Sequence, residues 1–181
     1  MTREEIQASW PIKVYFTTLK RASYDQANNE YMTESSLEVI NFDKVPNEFS
    51  RGKHWAGVPK SNDALYIDSP LWTFIEFKNA RDGKLDQVDI YRKIYDSIMM
   101  LLELGIVPDM DFVRNHIGYI LVCRAKKPKN LAVIHNYAQN RAKSETILFG
   151  LRKLKDYLLA EVHTYSPEEF EERFVQPHEG T

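Results

Sequence analysis

Two β-favouring runs flank a turn near the middle of the chain: Asp63-Ala64-Leu65-Tyr66-Ile67-Asp68, the break Ser69-Pro70, and Leu71-Trp72-Thr73-Phe74-Ile75-Glu76-Phe77-Lys78. They predict a β-hairpin. From Lys84 to Glu103 the apolar and aromatic residues Val88, Tyr91, Ile94, Tyr95, Ile98, Met99 and Leu102 recur at helical spacing, and Gly105 stands at a C-cap position. This predicts a core-facing helix of about five turns. The continuous apolar run Ile117–Cys123 has the character of a strand covered on both faces. Leu131–Ile134 predicts another short strand. Arg141 to Glu161 predicts a second long helix, with Ile147, Leu151, Leu154 and Leu158 on one stripe. Ser166-Pro167-Glu168-Glu169 carries capping-box residues with proline at the first helical position, so a short terminal helix starts there. Nearer the N-terminus, Glu4 to about Arg21 has the pattern of a helix interrupted at Trp10-Pro11, and Ser36–Phe42 begins either a helix or a strand.

The hairpin gives these patterns a chemical meaning. With the turn centred on Ser69-Pro70, Asp68 pairs with Leu71, and counting outward sets Asp63 across from Glu76. Opposed side chains have Cβ atoms about 4.5–5.5 Å apart, and like charges placed so destabilise a sheet. A cation between them removes the conflict. Period-2 alternation puts Lys78 on the face of Glu76, while Phe77 points the other way and leaves its carbonyl as a further oxygen ligand. Two carboxylates and a carbonyl are the hard oxygen donors that Mg²⁺ takes. A neighbouring ammonium can orient an attacking water, stabilise transition-state charge, or accept a proton if its pKa is lowered. The expected chemistry is metal-assisted hydrolysis of a phosphodiester.

Asp63 followed thirteen residues later by Glu76-x-Lys78, at the end of an apolar strand, resembles the PD-(D/E)XK nuclease superfamily. The resemblance implies an α/β fold with a restriction-endonuclease-like αβββαβ core, a mixed central sheet flanked by helices. It also implies Mg²⁺ (or Mn²⁺) held by Asp63, Glu76 and Phe77, with Lys78 as the catalytic lysine. Asn62 stands where the family has a proline, and the second triplet Asp82-Gly83-Lys84 lies in a turn context with no matched upstream acid. Gln87 and Tyr91, four residues apart on one helix face, are similar to the Gln-x-x-x-Tyr motif of exonuclease-like branches. That similarity places Gln87 among the catalytic residues and Tyr91 near the nucleic-acid backbone. The alternatives are a charged pair that solubilises a hairpin end, a core tyrosine and a solvated glutamine. The superfamily often adds a glutamate from a helix before the hairpin, for which Glu34 and Glu38 are the candidates.

Basic residues near these motifs predict phosphate contacts: Arg51, Lys53, His54 and Lys60 on the approach to Asp63, and Arg124, Lys126, Lys127 and Lys129 after the apolar strand. A solvated surface loop is the alternative for each group. The chain has 181 residues, 43% hydrophobic and 28% charged, which suits one domain over 1–181 with a catalytic core at about 36–135 and a helical part at about 138–175. A formal charge of −2 argues against a protein that coats nucleic acid by charge alone. The single Cys123 gives neither a disulfide nor a zinc cluster, and the five histidines show no ligand pairing. Met1–Glu5 opens without a signal-peptide core and the longest apolar stretch is too short for a membrane span, so cytoplasm is the expected compartment and no membrane partner is expected. The expected function is Mg²⁺-dependent cleavage of nucleic acid, DNA first, with a homo-oligomer or protein partner left open. The rival expectations are a binding or assembly module that has kept the acids, and a small phosphate-ester hydrolase.

Overall fold

The alternating run after Asn62 folds as an antiparallel hairpin, β3 (Ala64–Ile67) and β4 (Trp72–Lys78), in a computed structural model that describes residues 2–79, 86–124, 147 and 149–179. Ala64 faces Ile75, Leu65 faces Phe74, Tyr66 faces Thr73 and Ile67 faces Trp72, so the next step outward brings Asp63 to Glu76. β1 (Phe16–Thr18) and β2 (Glu38–Asn41) extend the antiparallel part, with Asn41 opposite Ala64. β5 (Ile117–Cys123) runs parallel to β4, and β6 (Glu161–Tyr165) runs parallel to β5. Together they form a six-stranded mixed sheet in chain order, flanked by helices.

A parallel neighbour needs a long crossover, and between β4 and β5 that crossover contains α4 (Gln87–Glu103) and α5 (Met110–His116). The Asp86 side chain accepts from the amides of Val88 and Asp89 and so caps α4 at its start. Gly105, at φ 66°, ends it in the left-handed conformation that glycine adopts without a Cβ penalty. One sheet face packs against α1 (Arg3–Ser9), α3 (Val45–Ser50) and α4, burying Ile6, Phe42, Phe49, Phe74, Ile94 and Leu121. The other face buries Ile75, Ile120 and Val122 against Phe170 and Phe174 of the C-terminal helical segment, and takes Leu19 from α2 (Leu19–Ala22). Among the described residues no helix is long and apolar enough to cross a membrane.

Three expectations change. α4 is rotated from the expected stripe: Ile90, Ile94, Ile98 and Leu101 are buried, while Val88, Tyr95 and Met99 are exposed. The cause is a second stripe, Asp89, Lys93 and Ser97 at spacing four, which turns inward to meet polar groups at the ends of β3 and β4. The predicted long helix to Glu161 is replaced, within the described residues, by a short 3₁₀ turn, Leu151–Leu154, and by β6. Its leucines are buried as the stripe required, but Gly150 at φ 66° and Asp156 at φ 64° leave the helical region on either side. The interruption at Trp10-Pro11 is found, since α1 ends at Ser9, but the segment beyond it forms β1 and α2 and not a resumed long helix, and Ser36–Phe42 supplies the strand β2. The capping box at Ser166 is formed as read, with the helix continuing from Pro167–Phe170 through a π-helical turn, Glu171–Val175, into Gln176–Glu179. The predicted strand Leu131–Ile134 lies outside the described residues.

Candidate active site

Glu76 projects from β4 toward α4 and is fully buried, an unusual position for a carboxylate without partners. Its Oε1 accepts from Lys93 Nζ at 2.6 Å and lies 3.1 Å from Lys78 Nζ, two residues along the same face. Its Oε2 is buried with no hydrogen-bond partner. Across the hairpin, Asp63 Oδ2 accepts from the Phe77 amide at 2.6 Å, and Oδ1 lies 3.4 Å from the same Lys93 ammonium. Strand N–H and C=O groups of one residue point to the same side, so the Phe77 carbonyl is directed toward the edge where Asp63 sits. Lys78 also donates to Asp89 Oδ2 at 3.2 Å, whose other oxygen takes Lys60 Nζ at 2.7 Å. The result is one chain of alternating charges, Lys60–Asp89–Lys78–Glu76–Lys93–Asp63.

Asn62 carries no ligand role here but pins the start of β3. Its amide and its Nδ2 both donate to Ser97 Oγ of α4 at 3.1 Å. Asp43, just after β2, lines the same cavity as Asp63, Phe77 and Lys78, a space of about 360 Å³, and accepts from Ser61 Oγ. Tyr119 of β5, fully buried, leaves its hydroxyl without a partner on the same side of the sheet.

The electrostatics follow from this crowding. Burial pushes the Asp63 carboxyl well above its usual range, and the charge of Glu76 adds to the shift, against the pull of Lys93. Glu76 is raised for the same first reason, burial, with Lys93 and Lys78 opposing. Burial pulls the Lys93 ammonium down, but Asp63 and Glu76 overcome it and hold it above its ordinary value. Lys78 behaves likewise: burial lowers it, Glu76 and Asp89 more than compensate, and it stays a protonated donor. Burial first, then Glu76 and Asp63, raises the Tyr119 phenol far above its usual value.

No protein-family model, curated protein or solved structure matches the chain.

The other site candidates are placed as follows. Lys60 is within the charge chain. Lys53 lies apart, with its ammonium 4.2 Å from the Phe49 ring centre and 4.4 Å from that of Trp55. Gln87 and Tyr91 share a face of α4, as their spacing requires, and both donate to backbone: Gln87 Nε2 to the Phe149 carbonyl at 2.7 Å and Tyr91 Oη to the Gly150 carbonyl at 2.9 Å. Lys126, Lys127 and Lys129 lie outside the described residues. Arg124, at the end of the same strand, donates to Glu30 and to the Tyr31 carbonyl. Glu34 pairs with Lys20, and Glu38 with Arg3, so neither reaches the hairpin acids. The additional acids are Asp43 and Asp89, and the additional cation is Lys93.

The anchoring by Gln87 and Tyr91 carries a prediction. A Cβ at Gly150 would lie 3.3 Å from Gln87 Nε2, on a backbone at φ 66°. Gly150→Ala is therefore expected to cost about 1–3 kcal/mol, read as a lower melting temperature. If melting is unchanged, this junction does not need glycine.

Among the described residues no group of three or more His, Cys, Asp or Glu side chains forms a metal cage by itself. The donors on offer at this edge are the two carboxylates, which share Lys93, and the Phe77 main-chain carbonyl. The buried, unpartnered Glu76 Oε2 is the atom in this set that a divalent ion would satisfy.

Proposed function

We propose that the chain is a divalent-metal-dependent nuclease of PD-(D/E)XK type that hydrolyses phosphodiester bonds of nucleic acid, DNA first. The observation that carries this reading is the placement of Asp63, Glu76 and Lys78 on one side of the hairpin end, with Glu76 buried and one of its oxygens unpartnered. The order of elements supports it. An antiparallel meander β2–β3–β4, the helix α4 and a parallel β5 follow one another as in an αβββαβ core.

Asp63, Glu76 and the Phe77 carbonyl would hold Mg²⁺ or Mn²⁺. When bound, the ion supplies Lewis acidity toward a phosphoryl oxygen and toward an attacking water. Lys78, held between Glu76 and Asp89, is placed to donate a hydrogen bond and positive charge. Asp89, steadied by Lys60, fixes the direction of Lys78. Asp63 and Lys78 line the cavity, while Glu76 is fully buried and does not line it.

Incubating the protein with plasmid, linear and single-stranded DNA and with RNA, in Mg²⁺, in Mn²⁺ and in EDTA, tests the reading. Cleavage in either metal and none in EDTA is expected; no cleavage of any of the four substrates removes it. A second reading, a binding or assembly module on the same fold, has one observation in its favour. Lys93 already neutralises the two acids from within the chain.

A further inference from the structure

Beside the acids stands an aromatic pair that the chemistry of hydrolysis does not use. The loop between α2 and β2 carries Tyr24 and Tyr31, whose ring centres are 4.9 Å apart at an interplanar angle of 41°. Lys20 Nζ lies 5.0 Å from the Tyr31 ring centre, so one side of the pair is closed by a cation. Tyr24 is 43% exposed and lines the cavity that also holds Asp43, Asp63 and Lys78.

The loop is built to hold this ring still. Tyr24 Oη donates to Asn29 Oδ1 at 2.8 Å. Asp25 and Glu30 bond to each other through their main chains in both directions, and Asp25 Oδ1 accepts from the amides of Ala27 and Asn28. Ser23 Oγ accepts from the amides of Met32 and Thr33, closing the base of the loop. Asn79 and Arg124, at the ends of β4 and β5, both donate to Glu30, and Arg124 also reaches the Tyr31 carbonyl. The loop is thus tied to the end of β4, which carries Glu76 and Lys78, and to the end of β5.

We propose that Tyr24, backed by Tyr31, is a stacking platform for an unpaired nucleobase, so that the substrate presents a single-stranded segment at the scissile phosphate. This rests on the nuclease reading of Asp63, Glu76 and Lys78. Every base offers a π-face, and base–aromatic stacking tolerates any sequence. Bases inside a duplex are already stacked on one another and cannot lie on a protein ring without being extruded. A ring fixed before binding loses little freedom when a base settles on it. The preferred substrates are therefore single strands, flaps or frayed ends.

The test measures affinity for a short fluorescent single-stranded oligonucleotide and for a blunt duplex of the same sequence, by anisotropy, with Ca²⁺ in place of Mg²⁺. Wild type is expected to prefer the single strand. Tyr24→Ala and Tyr24→Leu should weaken single-strand binding by about ten- to a hundredfold, the worth of one stacked base, and leave duplex binding unchanged. Tyr24→Phe, which keeps the ring and loses only the bond to Asn29, should retain single-strand affinity within a few-fold of wild type. Equal single-strand affinity in wild type and Tyr24→Leu overturns the platform, as does a wild type that takes up no single strand. Cleavage by wild type in Mg²⁺ separates the two readings. Cleavage without Tyr24-dependent binding leaves a nuclease with no platform, and Tyr24-dependent binding without cleavage leaves the platform and removes the nuclease.

Discussion

Lys78→Ala is expected to lower cleavage by about 10²–10³-fold, the usual effect of deleting one donor aimed at developing charge, while the fold and metal binding persist. The reason lies in how its two partners are shared. Glu76 Oε1 keeps Lys93 at 2.6 Å and Asp89 Oδ1 keeps Lys60 at 2.7 Å when Lys78 is removed, so neither acid is left without a cation. Lys78 donates no ligand atom to a cation, and its side chain is 26% exposed, so water fills the space it leaves. Single-turnover cleavage at saturating Mg²⁺, beside melting curves for both proteins, is the measurement. A variant that cleaves within a few-fold of wild type would remove the lysine from the mechanism, and the resemblance built on Glu76-x-Lys78 with it.

The hairpin was legible because two local rules fix it. A turn centred on Ser69-Pro70 sets the register and period-2 alternation sets the faces, and together they place Asp63, Glu76 and Lys78 without any long-range information. The C-terminal end of α4 was legible from Gly105, and its start at Gln87 falls within three residues of the expected Lys84. Its rotation was not. Val88, Tyr95 and Met99 make a second apolar stripe, so hydrophobic spacing alone allows more than one inward face. The signal that decides is polar: Asp89, Lys93 and Ser97 recur every four residues beside Ile90, Ile94 and Ile98, and a buried stripe of that kind must meet partners. Lys93 was therefore readable in principle once the hairpin acids were placed.

Asp43 was not readable, because it reaches the cavity only through the pairing of β2 with β3, which closes a loop of more than twenty residues. Gln87 and Tyr91 show the same limit from the other side. Their spacing announces a shared face, but their partners, Phe149 and Gly150, come from 62 and 59 residues further along. β6 was hidden by the leucines before it, whose helical spacing is met by a 3₁₀ turn that stops short of the strand.

Lys93→Met should produce the largest change in stability, on the order of 3 kcal/mol or roughly 6–12 °C in melting temperature, measured in EDTA near neutral pH. Among the described residues Lys93 is the one cation that touches both hairpin acids, and its side chain is only 15% exposed. Methionine keeps much of the apolar length but leaves Asp63 facing Glu76 with only Lys78, on the Glu76 side, to offset their repulsion. The effect should depend on pH in a defined direction. Burial raises both carboxyls above their unfolded values, with Glu76 adding to the shift at Asp63. A carboxyl raised on folding contributes stability that is fully present below its unfolded pKa and is lost as pH climbs through the folded one. Lys93 opposes both shifts, so its removal raises the folded values further and widens the window of loss. The deficit of Lys93→Met should then be smallest near about pH 4, where unfolded carboxyls protonate, and grow toward pH 8. Divalent metal should act in the same place as the missing ammonium. Millimolar Mg²⁺ is expected to raise the melting temperature of Lys93→Met more than that of wild type, by mass action at a site no longer contested, and Glu76→Gln should abolish the gain in either background. Identical pH and metal responses in wild type and Lys93→Met would mean that the ammonium and the ion do not share the two acids.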